Sequence, residues 1–161
     1  MNILRPLPRK MLILLETLPP SKASMSLSVV VLDETAYGRL TTNRATSLFA
    51  GAFSARGFDI DRMGEVSVAL VALGVIHDLN LEFREIDSPT DVLSFCIDGP
   101  YGEMVGEVVV APEYVCFDQL CIEELVVHGA LHLAGMNHGD DFARSEMAAV
   151  QEAVLRSIGG E

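Results

Sequence analysis

The chain has 161 residues, 50% of them apolar, enough for one domain with a substantial core and too few for two of ordinary size. Its formal charge of −12, from 23 acidic and 11 basic residues, argues against a surface that binds nucleic acid by general electrostatics, because that mode depends on Lys and Arg displacing counterions. Any nucleic-acid contact must come from a local site, where a divalent ion and a few Arg side chains attract phosphate.

Residues 1–24 stand apart in composition, holding Arg5, Arg9, Lys10 and Lys22 against the single acid Glu16, whereas the rest of the chain has seven basic and 22 acidic residues. The apolar run Met11–Leu15 is five residues long before Glu16 and Pro19-Pro20, shorter than a signal-peptide core. The segment reads as a poorly ordered extension, or as lying upstream of a translation start at Met25, with the domain itself over residues 25–161. No stretch approaches the length of a membrane span.

Leu27 to Leu32, β-branched and apolar, predicts a first strand. Thr41 to Arg56 carries Ala45, Leu48, Phe49, Ala52 and Phe53 at helical spacing and predicts an amphipathic helix. Glu65 to Leu73 returns to a strand pattern, and His77 to Arg84 reads as a short helix with Leu79 and Phe83 on its inner face. After the turn at Pro89-Thr90-Asp91 come a strand over Val92 to Ile97, a loop at Gly99, Pro100 and Gly102, and a strand over Val105 to Val110 that Pro112 ends. Leu120, Glu124, Val127 and Leu131 recur at helical spacing toward Gly135, and a last helix is expected from about Phe142 to Ile158 with Met147, Val150, Val154 and Ile158 on one face. The expected fold is a single α+β domain, a mixed four-stranded sheet packed with helices. Cys96, Cys116 and Cys121 are odd in number and lack the spacing of a disulfide framework, which points to a reducing, cytoplasmic compartment, and Cys116 and Cys121, in an apolar stretch, read as small core or interface residues.

Three of the four histidines fall in the segment His128-Gly129-Ala130-Leu131-His132-Leu133-Ala134-Gly135-Met136-Asn137-His138. Residues four apart share a helix face, so His128 and His132 can aim at one atom. Gly135 can take a left-handed conformation that ends the helix and returns the chain, bringing His138 round as a third ligand. Three neutral imidazoles leave a tetrahedral Zn²⁺ one open position, the layout of a catalytic site. His77, alone in an apolar helix, reads as structural. The spacing is that of metzincin peptidases, a metal-binding helix and turn, but those carry a Glu general base after the first His, where this chain has Gly129.

At this point the sequence resembles the YbeY family of metal-dependent endoribonucleases, whose signature has the form H-G-x-L-H-L-x-G-Y-D-H. The stretch Leu79-Asn80, Phe83-Arg84, Pro89-Thr90-Asp91-Val92-Leu93-Ser94-Phe95 and Gly106-Glu107 is similar to the same family in order and spacing. The resemblance implies a single-strand-specific endoribonuclease in ribosomal RNA maturation and ribosome quality control. It implies one zinc ion per chain on His128, His132 and His138, and Arg84 as the residue that holds or polarises a phosphate, so that Arg84 and His128 are the expected catalytic residues. Single-stranded or ribosomal RNA and ribosomal proteins or assembly factors are the partners implied, with no DNA and no membrane. Arg84 is the only Lys or Arg between Arg62 and Arg144, and a guanidinium suits a phosphodiester; the competing role is a surface pair with Glu82, Glu85 or Asp87. Met136 and Asn137 depart from the family's Tyr and Asp, and loss of that charge is expected to weaken orientation of a ligand. Thr90 and Ser94 are available as hydroxyl donors, and Asp140, Asp141 and Asn137 lie near in sequence, yet none is marked as a general base. A peptidase with its base elsewhere, and a non-enzymatic zinc-containing ribosome-associated factor, are the alternative readings.

Overall fold

The computed structural model describes residues 26–98, 104–114 and 122–159. The expectations placed on residues 1–24, on the loop of Gly99, Pro100 and Gly102, and on Cys116, Leu120 and Cys121 lie outside the described residues. In chain order the elements are β1 (Ser28–Asp33), α1 (Thr42–Ala55), β2 (Glu65–Leu70), α2 (Leu73–Arg84), β3 (Val92–Asp98), β4 (Met104–Val110), α3 (Ile122–Leu133) and α4 (Glu146–Ile158). Short 3₁₀ turns lie at Ile60–Arg62 and Phe142–Arg144.

The strands form one mixed four-stranded sheet, as expected for the α+β domain, and their order is β1-β2-β4-β3. β1 and β4 both run parallel to β2, whereas β3 runs antiparallel to β4. Alternation along the strands divides the side chains between two cores. Val66, Val68, Leu70, Val108 and Val110 pack with Leu48, Phe49 and Phe53 of α1 and with the apolar faces of α3 and α4. Ala69, Val109, Leu93 and Phe95 meet Ile76 and Phe83 of α2 on the opposite face. All five apolar positions expected on the inner face of α1 are fully buried. Its register is fixed at one end by Thr41, whose hydroxyl accepts from the Arg44 amide at 3.2 Å. Arg44 then forks onto the Glu123 carboxylate at 2.8 and 2.7 Å and donates to the Ile158 carbonyl at 3.2 Å, joining α1 to α3 and α4.

Two boundaries differ from the sequence reading. The apolar stretch Val71–Ile76 continues the strand pattern, but β2 ends at Leu70 and α2 begins at Leu73, four residues before His77. The helix starts there because Ile76, Asn80 and Phe83 must share a buried face, which a strand ending at Leu73 cannot provide. The C-terminal helix is also not continuous from Phe142. Its N-cap is Ser145, in extended backbone, with Oγ accepting from the Ala148 amide at 3.1 Å; Phe142–Arg144 is a separate 3₁₀ turn. Among the described residues, no helix is long and apolar enough to cross a membrane.

Candidate metal centre

α3 presents His128 and His132 one turn apart, and its end is built as the sequence requires. Gly135 has φ +85°. Its amide donates to the His132 carbonyl and the Met136 amide to the Leu131 carbonyl, both at 3.0 Å, which is the paired bonding of a Schellman stop. The chain reverses and His138 returns to the two helical histidines. The three side chains can offer ligand atoms that all lie within 4.8 Å of one another.

The hydrogen bonds on the far side of each ring decide what these nitrogens can do. His128 Nδ1 donates to Gln151 Oε1 at 3.1 Å, His132 Nδ1 to the Met136 carbonyl at 2.9 Å, and His138 Nδ1 to the Gly139 carbonyl at 2.7 Å. An oxygen acceptor at each Nδ1 places the proton there, so each neutral imidazole turns a bare Nε2 lone pair inward. His128 Nε2 lies 3.1 Å from His132 Nε2 and 3.2 Å from His138 Nε2. Nitrogens bound at about 2.0–2.1 Å around a tetrahedral zinc stand about 3.3 Å apart. Three lone pairs at such distances repel one another unless a cation lies between them, so the donor set fits a divalent metal. Burial favours the neutral rings that a metal requires: it pushes His132 down to about 3 and lowers His128, with Gln151 and the negative charge of Asp91 opposing the shift at His128.

The glycine that replaces the peptidase base has a steric reason. A Cβ on Gly129 would come 2.5 and 2.9 Å from the two Val108 methyls and 3.0 Å from Ser94 Oγ. α3 is packed against β3 and β4 at this point, and a side chain there would enter the sheet and not the metal. The metzincin-like mechanism with a base after the first His is closed to this fold.

Arg84, at the last turn of α2, faces the same cleft as the three histidines, a space of about 330 Å³ also lined by Thr90, Asp91 and Phe142. The expected competing pair with Glu82, Glu85 or Asp87 does not form. Among the described residues the guanidinium reaches only Asn80 Oδ1, from Nη1 at 3.5 Å, and its Nε is buried without a hydrogen-bond partner. A buried N–H left unpaired costs on the order of 1–3 kcal/mol, and an anion entering the cleft would supply the missing acceptor. Asn80, 2% exposed, also donates from Nδ2 to the Ser88 carbonyl at 2.8 Å, linking α2 to the turn before β3.

His77 is not part of the cluster and pairs with Asp87 at 2.7 Å. Asp140 and Asp141 are exposed, and Asp141 faces Arg144 at 3.6 Å, so neither is among the cleft residues. Ser94 lines the cleft, but its hydroxyl donates to the Gly129 carbonyl at 3.2 Å; the Thr90 hydroxyl donates to Asp91 at 3.2 Å. Asn137 is exposed, and His132 is oriented by the main-chain carbonyl of buried Met136. Three participants escaped sequence reasoning. Gln151 and Phe142 reach the site from beyond the histidine segment, and Asp91 is the one carboxylate among the cleft residues described. Only Asp91, inside the Pro89–Phe95 block, carried a sequence signal.

The family model described as Endoribonuclease YbeY matches residues 31–159. The protein named Endoribonuclease YbeY of Rubrobacter xylanophilus is 60% identical over 137 residues, 84% of this chain and 99% of that one. Its namesake from Azorhizobium caulinodans is 35% identical over 120 residues, 67% of this chain and 76% of that one. Among solved structures, the solution structure of TM1509 from Thermotoga maritima has 29% identity and a TM-score of 0.49, covering 82% of this chain and 89% of that one.

Proposed function

The chain belongs to the endoribonuclease YbeY family, and from that premise we propose that it is a zinc-dependent, single-strand-specific endoribonuclease. It hydrolyses phosphodiester bonds in ribosomal RNA maturation and ribosome quality control, in the cytoplasm and in company with ribosomal proteins or assembly factors. The observation that carries the reading is the pairing, in one cleft, of three inward Nε2 lone pairs with the half-buried Arg84, whose buried Nε lacks a hydrogen-bond partner.

His128, His132 and His138 would hold one divalent ion, which supplies Lewis acidity toward a phosphoryl oxygen and toward the attacking hydroxyl. The chain's own groups do the rest. Arg84 donates from Nε and its terminal nitrogens to non-bridging phosphate oxygens, and these bonds strengthen as negative charge grows on them. Gln151 and the two carbonyls keep the protons on Nδ1, fixing each ring's orientation. Asp91, with Oδ1 held by the Val92 amide at 2.8 Å and by Thr90, sets a negative charge beside the cationic site and is the cleft's own carboxylate able to take up a proton.

The test is cleavage of a single-stranded oligoribonucleotide and of its duplex, by wild type, Arg84→Ala and Arg84→Lys. Preferential cut of the single strand is expected, with kcat/KM lowered about 10²–10³-fold in Arg84→Ala. Lys should restore little of it, since it lacks the planar fork and an Nε. Intact RNA alongside chelator-sensitive digestion of casein would overturn the reading in favour of a peptidase.

A further inference from the structure

The charge of the chain creates a difficulty that the catalytic reading leaves open. RNA is a polyanion, the chain carries −12, and Arg84 is the only Lys or Arg among the described cleft residues. Among the described cleft residues, basic side-chain contacts to phosphate therefore come from Arg84 alone, and a contact that does not depend on charge would add to the affinity for the strand.

The cleft contains one aromatic side chain among its described residues, Phe142. Its ring centroid lies 4.8 Å from those of both His128 and His138, at interplanar angles of 67° and 61°. In these edge-to-face arrangements the ring is a wall of the metal site and not a layer stacked on it. The residue is half-buried, with its inner side packed against the core and part of its surface left accessible. Its backbone is held firmly. The Phe142 carbonyl accepts from the Ser145 amide at 2.9 Å and from Ser145 Oγ at 2.6 Å, and that same Oγ caps α4. A ring fixed beforehand loses little conformational freedom when a flat partner binds.

We propose that Phe142 is the stacking platform for a nucleobase adjacent to the scissile phosphate, and that stacking on it supplies much of the affinity for single-stranded RNA. The inference rests on the endoribonuclease reading. Every base has a π-face, so such a platform tolerates sequence variation, and it requires an unpaired base, so it selects single strands over duplex. Its contact is apolar and adds no salt dependence, whereas the single phosphate contact of Arg84 on a single strand contributes a slope of about −0.7 in log affinity against log salt.

The experiment measures cleavage kinetics of zinc-loaded wild type and Phe142→Leu on a short single-stranded oligoribonucleotide and on a set carrying one abasic nucleotide at successive positions. Leu keeps apolar volume at the wall and removes the π-face. Zinc content and Tm are read on the same preparations. The expected result is unchanged zinc content and Tm, a KM raised roughly 10- to 100-fold by the substitution, and one abasic position that harms wild type while leaving Phe142→Leu unaffected. A KM within twofold of wild type overturns the proposal, as does loss of zinc, which would make the ring a structural wall of the metal site. Equal sensitivity of both proteins to every abasic position also overturns it. Failure of wild type to cleave RNA at all would instead remove the endoribonuclease reading beneath it.

Discussion

Substitution of Gly129 by Ala sets two known effects against each other. In a helix, Gly→Ala is worth about 1 kcal/mol in favour of the variant through backbone entropy. Against this, the new Cβ would lie 2.5 Å from Val108 Cγ1, 2.9 Å from Cγ2 and 3.0 Å from Ser94 Oγ. Val108 is fully buried in β4, paired to β2 through Val68 and to β3 through Ser94, and both its methyls face the intruder. A β-branched side chain has one strongly preferred rotamer, so rotation relieves little. α3 must shift away from the sheet, and overpacking of this kind costs about 1–3 kcal/mol. The net expectation is a loss of up to roughly 2 kcal/mol, read as a lower urea midpoint at unchanged m-value. Because His128 is the preceding residue, zinc affinity should fall with it. Val108→Ala in the same chain removes both methyls, so the double variant should be more stable than the sum of the single losses predicts. A Gly129→Ala protein as stable as wild type, with additive behaviour in the double variant, would refute the steric account of why this helix carries no glutamate.

Glu107, 6% exposed, has its carboxyl pushed up to about 7 by burial and by the negative charge of Glu34, against a hydrogen bond from Ser67. The folded state therefore favours the protonated form, and its penalty is absent below the unfolded pKa near 4.5 and grows as pH rises to about 7. Glu107→Gln should leave stability at pH 4 nearly unchanged and raise it at pH 8 by up to about 3 kcal/mol, measured by denaturant midpoints; equal gains at both pH values would contradict this. Gln151→Leu removes the acceptor on His128 Nδ1 and should weaken zinc binding about 10- to 100-fold in a competition titration, whereas unchanged affinity would show that the ring is oriented by packing alone. Ser145→Ala deletes the cap of α4 and one anchor of Phe142, and thermal denaturation should register a loss of about 1 kcal/mol.

Much of this was legible in the residues because it depends on local rules. The spacing of Ala45, Leu48, Phe49, Ala52 and Phe53 placed α1 within a residue at each end, and Gly135 marked the turn that returns His138. Boundaries failed where two local rules agree with different answers. Val71–Ile76 suits a strand as well as a helix, and only burial of Ile76 beneath the sheet decides it. Ser145 could sit inside a helix by propensity, yet its hydroxyl serves better as a cap. The strand order β1-β2-β4-β3, the Val108 methyls beneath Gly129, and the reach of Gln151 and Phe142 to the histidines are long-range, and no periodicity encodes them. The orphaned Nε of Arg84 belongs to the same class, since a lone Arg in an acidic segment is equally a surface pair until its burial is known.

The most direct test of the central claim is metal content by elemental analysis on purified wild type beside His132→Ala, followed in the same samples by cleavage of a single-stranded RNA. The expected result is about one zinc per chain in the wild type, lost in the variant together with RNA cleavage. Wild-type protein that takes up no metal, or a zinc-free variant that still cleaves RNA at the wild-type rate, would contradict the proposed site and mechanism.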